Sequence, residues 1–344
     1  MLNKLFPSTT VGSMPRPQFF RELVDKSLSG KNSESTLDQL MDRAIPYVVA
    51  LQEAAGIDLI SDGEWRRKSY VGVIAESYTG FETEKRIVGT HRHSAYVGYT
   101  VTDKILPSNP GVFARESTFL QSFTTKPIRI ALPTPYLIAS RTWDLQKSDK
   151  YYPTKLDLVR SLIPVIREEL ILLRDTGVQF VQFDDPDMGP DKEGLKLAVD
   201  SLNEVVDGVD GIHLSMHLCG RRQPVLNQPG YSSLLPEITN LLFDQLMFEF
   251  LDPNEDDLLM LSKITEKFEI GVGCIAAREP NLETPIEIVD RVKKILKIVS
   301  PERIVLHPDC GFSPGTYFEI PLDEIYDKMR NEVLASEILR QEFS

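Results

Sequence analysis

The stretch GIHLSMHLCGR, residues 211–221, joins an apolar run of strand length to two side chains that commonly bind metal ions. His217 and Cys219 are two positions apart, and in a β-strand that spacing points both side chains to the same face. The stretch therefore predicts a strand whose carboxyl end carries part of a binding site.

Seven further runs of this kind occur, and longer helical patterns separate most of them. The eight predicted strands are 9–13, 57–61, 128–132, 178–183, 212–217, 245–250, 268–273 and 303–308. The helical patterns cover roughly 36–55, 154–176, 191–207, 231–240, 256–265, 283–298 and 322–341. Strand–helix alternation predicts an α/β fold with a parallel sheet. Eight units predict a (β/α)8 TIM barrel. A doubly wound open sheet is the alternative, but no G-x-G-x-x-G motif follows any strand.

The interval between the second and third predicted strands is unusually long. Part of it, residues 86–105, has the pattern of a β-hairpin. We therefore expect a hairpin-containing insertion at about 71–125, within a single domain spanning 1–344. Such an insertion would cover the mouth of a site or make a dimer contact.

The bulk composition is that of a globular protein with a large core. Of 344 residues, 42% are hydrophobic and 26% are charged. The formal net charge of −13 argues against nucleic-acid and anionic-membrane partners. The sequence contains no run of 18 apolar residues, so we expect no membrane span. The N-terminus lacks the apolar segment of a signal peptide. The three cysteines predict a reducing, cytoplasmic location and metal or catalytic use.

Seven reactive side chains fall at or just past predicted strand ends, which in a barrel meet on one face. They are Ser13, Glu64, Asp184, His217, Cys219, Glu249 and Cys310. A set of one histidine, two cysteines and a carboxylate suits Zn²⁺, and an exchangeable fourth position would make the site catalytic. Cys310 and Glu249 are the natural partners for His217 and Cys219.

Four of these residues also have a simpler explanation. His217 alone would be a hydrogen-bonded structural histidine, and Glu249 could pair with an interior arginine. The loop 61–69 is either a solvated loop, in which Arg66, Arg67 and Lys68 balance Asp62 and Glu64, or a loop in which Glu64 captures a substrate ammonium group. Asp184 offers the same choice between an acidic loop and amine recognition.

Two further residues are weaker candidates. Cys274 has no obvious partner and is expected to pack in the core. His307 lies three residues before Cys310 and is a weak alternative metal ligand.

Six stretches together resemble one known family. They are TTVGSMPRP from residue 9, SDGEWRR from 61, QFDDP from 182, HLC from 217, FEF from 248 and HPDCGF from 307. They occur in the order seen in the catalytic C-terminal barrel of cobalamin-independent methionine synthase. The chain looks like the short, single-barrel members of that family, which are also similar to zinc-dependent alkyltransferases acting on coenzyme M.

The resemblance implies a zinc-dependent methyltransferase that acts on a small thiol, with homocysteine the favoured acceptor and methionine the product. It implies His217, Cys219, Glu249 and Cys310 as the zinc ligands. Ser13, in the V-G-S turn, would match a position that holds the amino-acid end of homocysteine. Glu64 and Asp184 would match the catalytic-site carboxylates that bind its ammonium group. A homo-oligomer is a further option.

One departure from the family pattern leaves the methyl donor open. The long enzymes carry an Asp and a His after the seventh strand for proton delivery to the folate leaving group. Cys274 and Ala276 stand in that stretch here. The donor is therefore methyltetrahydrofolate with a different acid, a methylated corrinoid protein, or another methyl or alkyl compound. The alternative functions are alkyl transfer to or from another thiol such as coenzyme M, cleavage of a thioether, a non-catalytic zinc protein that binds thiols, and a decarboxylase of the related porphyrinogen-binding barrels.

Overall fold

The computed structural model describes residues 2, 4–17, 34–67, 69–86, 96–186, 188–189, 191–218, 230–312 and 320–344. Cys219 and Lys68, singled out above, lie outside the described residues. No helix in the described ranges is both long and apolar enough to cross a membrane.

Six parallel strands in chain order form the centre of the fold. They are β3 (Arg129–Pro133), β4 (Phe180–Asp184), β5 (His213–Leu218), β6 (Gln245–Phe248), β7 (Glu269–Ile275) and β8 (Ile304–Pro308). Their residues are almost continuously buried, as expected for parallel strands covered on both faces. These six strands correspond to the last six runs predicted from the sequence.

The first two predicted strands are reduced to isolated parallel bridges. Ser8 pairs with Leu306 of β8, Thr9 pairs with Leu59, and Ile60 pairs with Ile128 next to β3. The Thr9 amide donates to the Leu306 carbonyl at 3.0 Å, and the Ile60 amide donates to the Pro127 carbonyl at 3.0 Å. Two short segments therefore lie between β8 and β3, so that each edge strand has a hydrogen-bonded neighbour.

An antiparallel pair precedes the parallel sheet in the chain. β1 (Phe81–Arg86) pairs with β2 (Tyr96–Val101) from Phe81 opposite Val101 to Arg86 opposite Tyr96. The residues that join them, 87–95, lie outside the described ranges.

Helices lie between most strands. The long helices are Glu34–Ala55, Lys155–Arg174, Lys192–Val206, Pro285–Ile295 and Leu322–Phe343, and Glu255–Ser262 is shorter. Three helices were not predicted: Gly72–Ser77, Val112–Gln121 and Pro135–Thr142. All three are short, so their apolar periodicity spans too few turns to stand out. Thr134 nevertheless caps the last of them, because its hydroxyl accepts from the Leu137 amide at 2.9 Å.

The helix predicted at 231–240 is wrong. Two 3-10 helices, Tyr231–Leu234 and Glu237–Asn240, occupy that stretch. Pro236 lies between them, and Leu235 before it is extended, with φ −83° and ψ 145°, as proline favours for the residue that precedes it. The extended residue interrupts the helical conformation at this point.

Candidate functional site

Candidate site residues gather at the carboxyl end of the parallel sheet. Asp184 ends β4, His217 is the penultimate residue of β5, and Glu249 follows β6 directly. Cys310 follows β8 by two residues. Parallel strands end at the same edge of a sheet, so the β-α connections bring these side chains to one region.

The contact between His217 and Asp184 is the best-defined feature of this region. The two residues are register partners in β4 and β5, and His217 Nδ1 lies 2.7 Å from Asp184 Oδ1. The other ring nitrogen, Nε2, is 3.2 Å from the carbonyl oxygen of Asp309. Burial by itself lowers the pKa of His217, but the hydrogen bond and charge of Asp184 outweigh burial and raise that pKa to about 9.

Asp184 accepts from three side chains at once. The hydroxyl of Tyr70 donates to Oδ2 at 2.8 Å, and Nε2 of Gln182 lies 3.0 Å from Oδ1 and 3.2 Å from Oδ2. Burial and the negative charge of Asp184 raise the pKa of Tyr70, so its hydroxyl remains a donor. Together with His217, these partners hold the carboxylate in one orientation.

Glu64 is held in an uncommon backbone conformation beside Asp184. Its φ is +56°, which costs a residue with a side chain of the order of 1 kcal/mol. Asp62 accepts from the Glu64 amide at 2.9 Å, and Arg16 donates to the Glu64 carbonyl at 3.0 Å. Burial raises the pKa of Glu64 to about 8; Arg67 opposes the rise and the charge of Asp184 adds to it.

Gly12 allows Glu64 to approach the first segment of the fold. A Cβ atom at Gly12 would lie 2.7 Å from Glu64 Oε1, and the φ of Gly12 is +142°. Both the close approach and the backbone conformation require glycine at this position.

Arg66 and Arg67, the two described cations of the loop 61–69, both take their shortest ion pairs with carboxylates outside the loop. Arg67 is buried and makes a two-pronged pair with Glu116, at 2.8 Å from Nη2 and 3.2 Å from Nε. Its Nη1 is 3.6 Å from Glu64 Oε1. Arg66 pairs with Asp42 at 2.5 Å. Glu116 lies in the helix Val112–Gln121, which the sequence pattern did not reveal, so its role in fixing Arg67 was missed.

Ser13 and Cys310 lie on adjoining turns. A Cβ atom at Gly311 would lie 2.1 Å from Ser13 Oγ, and the Phe312 amide donates to the Ser13 carbonyl at 2.8 Å. The V-G-S turn therefore packs directly on the turn that carries Cys310, although about 300 residues separate them in sequence.

Glu249 and Cys310 both lie near His217. In their ionised forms they act on His217 in the same direction as Asp184 and raise its pKa. Glu249 is 4% exposed, and its amide donates to the hydroxyl of Tyr231 at 2.9 Å. Arg278, from the loop after β7, places Nη2 2.7 Å from Cys310 Sγ. Arg278 and Tyr231 carry no pattern that marks them in the sequence.

The donors present fit a zinc ion by their chemistry. They are an imidazole, a thiol and a carboxylate. Asp184 occupies His217 Nδ1, so a metal would bind Nε2 in place of its 3.2 Å contact with the Asp309 carbonyl oxygen. A carboxylate at the other ring nitrogen is a common partner of a zinc-binding histidine. Over the described ranges no group of three or more His, Cys, Asp or Glu side chains is arranged as a metal site. That search did not include Cys219, the fourth expected donor, because it lies outside those ranges.

The two weaker candidates are both buried. His307 Nδ1 lies 2.6 Å from the Pro308 carbonyl, and burial, aided by the neighbouring charge of His217, lowers the pKa of His307 to about 3. Its ring centroid is 6.1 Å from that of His217. Cys274 is fully buried, with Sγ 3.6 Å from the His307 carbonyl, as expected for a core cysteine.

The fold and site define an α/β protein in which a parallel sheet carries its reactive residues at the carboxyl ends of the strands. Residues 6–336 match the family described as cobalamin-independent synthase, catalytic domain. Methionine synthases of Sulfolobus acidocaldarius and Saccharolobus solfataricus are each 30% identical over 98% of this chain, which covers 93% and 96% of their lengths. The chain belongs to the cobalamin-independent methionine synthase family, whose members are methyltransferases.

Solved structures support the same fold. A B12-independent methionine synthase from Shewanella sp. W3-18-1, in complex with selenomethionine, superposes with a TM-score of 0.82 at 24% identity over 98% of each chain. A structure from Listeria monocytogenes, described as a putative vitamin-B12-independent methionine synthase, superposes with a TM-score of 0.71 at 22% identity. The match covers 98% of this chain and 99% of that one.

Proposed function

We propose that this protein transfers a methyl group to the thiol of homocysteine and so forms methionine, using Zn²⁺ held by His217, Cys219, Glu249 and Cys310. We propose in addition that the sheet and its bridging segments form a closed (β/α)8 barrel, with β1 and β2 in an insertion after the second barrel strand. The parallel bridges from Ser8 to Leu306 and from Ile60 to Ile128 support closure.

The observation that carries the proposal is that Asp184 interacts with both a candidate metal ligand and a candidate ammonium ligand. Asp184 touches His217, a candidate metal ligand, and its charge raises the pKa of Glu64, a candidate ammonium ligand. A bound amino-acid thiol needs its sulfur at the metal and its ammonium group a few ångströms away at carboxylates. The position of Asp184 next to His217 and within electrostatic reach of Glu64 supports this arrangement.

Each protein group would have a separate task. Bound Zn²⁺ would lower the pKa of the thiol and favour the thiolate as nucleophile. Glu64 would bind the ammonium group, and Ser13 would lie at the amino-acid end of the substrate. Asp184 would keep the Nδ1 proton on His217 and add negative charge near the ammonium group. In the transfer, sulfur forms a bond to the methyl carbon, while the bond from that carbon to the donor breaks and leaves its electron pair on the donor.

The carboxylates favour an amino-acid thiol over coenzyme M. Coenzyme M carries a sulfonate and no ammonium group, so it would gain no charge-assisted contact with Glu64, and the Asp184 carboxylate would repel it. Neither Ala276 nor the buried Cys274 offers an acid for a folate leaving group. The methyl donor is therefore methyltetrahydrofolate with a different acid, a methylated corrinoid protein, or another methyl or alkyl compound.

Single-turnover assays test this proposal directly. Protein loaded with one equivalent of Zn²⁺ is mixed with homocysteine and, in separate reactions, methyltetrahydrofolate, methylcobalamin or a methylated corrinoid protein, and methionine is measured by mass spectrometry. We expect methionine with at least one donor and none after zinc removal. Coenzyme M is the matched control acceptor. Homocysteine binding without product from any donor would favour the non-catalytic alternative, and methylation of coenzyme M alone would reject the proposed acceptor.

A further inference from the structure

Arg129 is a buried cation that the proposed chemistry does not use. It begins β3, in the interior of the fold, and is 4% exposed. Nη1 donates to Gln182 Oε1 at 3.2 Å and lies 3.4 Å from Met247 Sδ, and Nη2 donates to Gln245 Oε1 at 3.3 Å. Within the described ranges its hydrogen-bond partners are these uncharged groups, and no carboxylate forms an ion pair with it. A buried charge without a paired carboxylate is costly, which makes its retention here informative.

Arg129 fixes which way the Gln182 amide faces. A guanidinium group has only donors, so the oxygen of Gln182 must point toward Arg129. The amide nitrogen then points to the opposite side, where it donates to the Val11 carbonyl at 2.6 Å and to Asp184 Oδ1 at 3.0 Å. Gln182 is fully buried, so water cannot take the place of either partner.

The chain of contacts ends in the candidate site. Asp184 receives the Gln182 amide on the same oxygen, Oδ1, that contacts His217 Nδ1. If the Gln182 amide turned over, its oxygen would face the Asp184 carboxylate, and two acceptors would meet without a proton between them. Burial lowers the pKa of Arg129 to about 10, with Asp184 and Glu269 acting in the opposite direction, so the guanidinium stays charged at neutral pH.

We propose that Arg129 is a positioning residue for the substrate site. From the start of β3 it holds the Gln182 amide in one orientation, and that orientation keeps Asp184 an acceptor for His217 and for a substrate ammonium group. This inference rests on the proposed function for the identity of the substrate. The alternative is that Arg129 serves only the packing of the fold's interior, through Gln245 and Met247 as much as through Gln182.

A double-mutant cycle separates the two roles. The variants are Arg129→Met, Gln182→Met and the double variant, and the readout is the dissociation constant for methionine by calorimetry on zinc-loaded protein. We expect each single variant to bind methionine about tenfold more weakly, and the double variant to bind within twofold of Gln182→Met, because Arg129 acts through Gln182. Losses that multiply in the double variant would overturn the inference.

Gln245→Met is the matched control. Gln245 contacts the same guanidinium group from β6, but its side chain has no hydrogen bond to Asp184. We expect less than a twofold change in methionine binding. A loss as large as that of Arg129→Met would show that Arg129 acts through general packing. If circular dichroism shows that Arg129→Met does not fold, Arg129→Lys replaces it. We expect Arg129→Lys to bind methionine with an affinity between that of the wild type and that of Gln182→Met. An affinity as low as that of Gln182→Met would contradict a role for the retained charge.

A crystal structure of Arg129→Met gives a readout that needs no substrate. We expect the contact between Gln182 Nε2 and Asp184 Oδ1 to be lost, and an unchanged contact would overturn the inference. If wild-type protein binds neither methionine nor homocysteine, the proposed function fails, and this structure still decides the role of Arg129.

Discussion

Two halves of the candidate site differ in how many close hydrogen-bond donors and cations surround their carboxylates. The histidine half comprises Asp184, His217, Glu249 and Cys310; the glutamate half comprises Ser13, Glu64 and Arg67. In the first half, Asp184 accepts from three side chains at 2.7–3.0 Å. In the second, the Glu64 carboxylate has Arg67 at 3.6 Å, and burial raises the pKa of Glu64 to about 8.

The difference indicates where an incoming cation gains most. Asp184 is already arranged as an acceptor and gains little orientation from a ligand. Glu64 is mostly buried, and within the described ranges its recorded cation partner is Arg67 Nη1 at 3.6 Å. That contact is long because Glu116 takes both the Nε and Nη2 donors of Arg67. An ammonium group placed beside Glu64 would restore the charged form of its carboxyl group. We therefore expect the histidine half to govern metal binding and the glutamate half to govern amino-acid binding.

The largest effect should come from Cys310→Ser, which removes a donor from the histidine half. We expect zinc affinity to fall by more than the roughly 100-fold seen when an outer partner of a metal ligand is lost, with the fold intact. Competition with a chromophoric chelator measures the affinity, and circular dichroism checks the fold. Cys274→Ala is the control, since that thiol is buried in the core. Stoichiometric zinc of undiminished affinity in Cys310→Ser would remove Cys310 from the ligand set.

Glu64→Gln should act on the glutamate half alone. Loss of one charge-assisted contact, worth about 1.5–3 kcal/mol, should weaken methionine binding about 10- to 150-fold. Zinc affinity should change less than twofold, because no described contact joins Glu64 to His217 or Cys310. Calorimetry and chelator competition on the same preparation provide both numbers. Unchanged methionine affinity would exclude Glu64 from the substrate site.

Asp184→Asn should affect both halves, because Asp184 adjoins each of them. The amide cannot hold the Nδ1 proton of His217 as a carboxylate does, and we expect zinc affinity to fall about 10- to 100-fold. Methionine binding should weaken as well. If Asp184→Asn weakened methionine binding alone, the contact with His217 would have no part in metal binding.

Methionine binding should release protons from Glu64. At pH 7 a carboxyl group with a pKa of about 8 is mostly protonated. An ammonium group beside it favours the carboxylate, so binding should release a large fraction of one proton and affinity should rise from pH 6 to pH 8. Calorimetry in buffers of different ionisation enthalpy measures the release. Methionine is the right ligand because it has no thiol proton to lose, and Glu64→Gln should abolish the effect. Equal heats in all buffers would argue against an ammonium group at Glu64.

The smallest effect expected is that of Gly311→Ala, at the contact between the two halves. The added Cβ would lie 2.1 Å from Ser13 Oγ but 3.4 Å from Ser13 Cβ, so the Ser13 hydroxyl must leave its present position, at a cost of about 1 kcal/mol. Thermal unfolding measures this cost. Gly230→Ala is the control, since a Cβ there would meet no atom of the described part of the chain within 4 Å and its φ is negative. Equal stability of the two variants would mean that the turns tolerate the added methyl group.

Much of the sheet could be predicted from the sequence, and less of the site. The six parallel strands follow from apolar runs of strand length, and the expected site residues follow from their positions after those runs. The stretches at 9–13 and 57–61 contribute single bridges, because their pairing depends on how β8 and β3 approach them. The functional roles of Ser13, Glu64, Asp184, His217, Cys219, Glu249 and Cys310 remain predictions.

What the sequence alone determined was where along the chain each reactive side chain sits relative to a strand end. Hydrophobic periodicity and turn-forming residues are local, so neighbouring residues suffice to define them. The tertiary structure decided which donor meets which acceptor: Tyr70 with Asp184 across 114 residues, and Arg67 with Glu116 across 49. These pairings depend on the register of the strands and the packing of short helices, and those are set by the burial of the whole core.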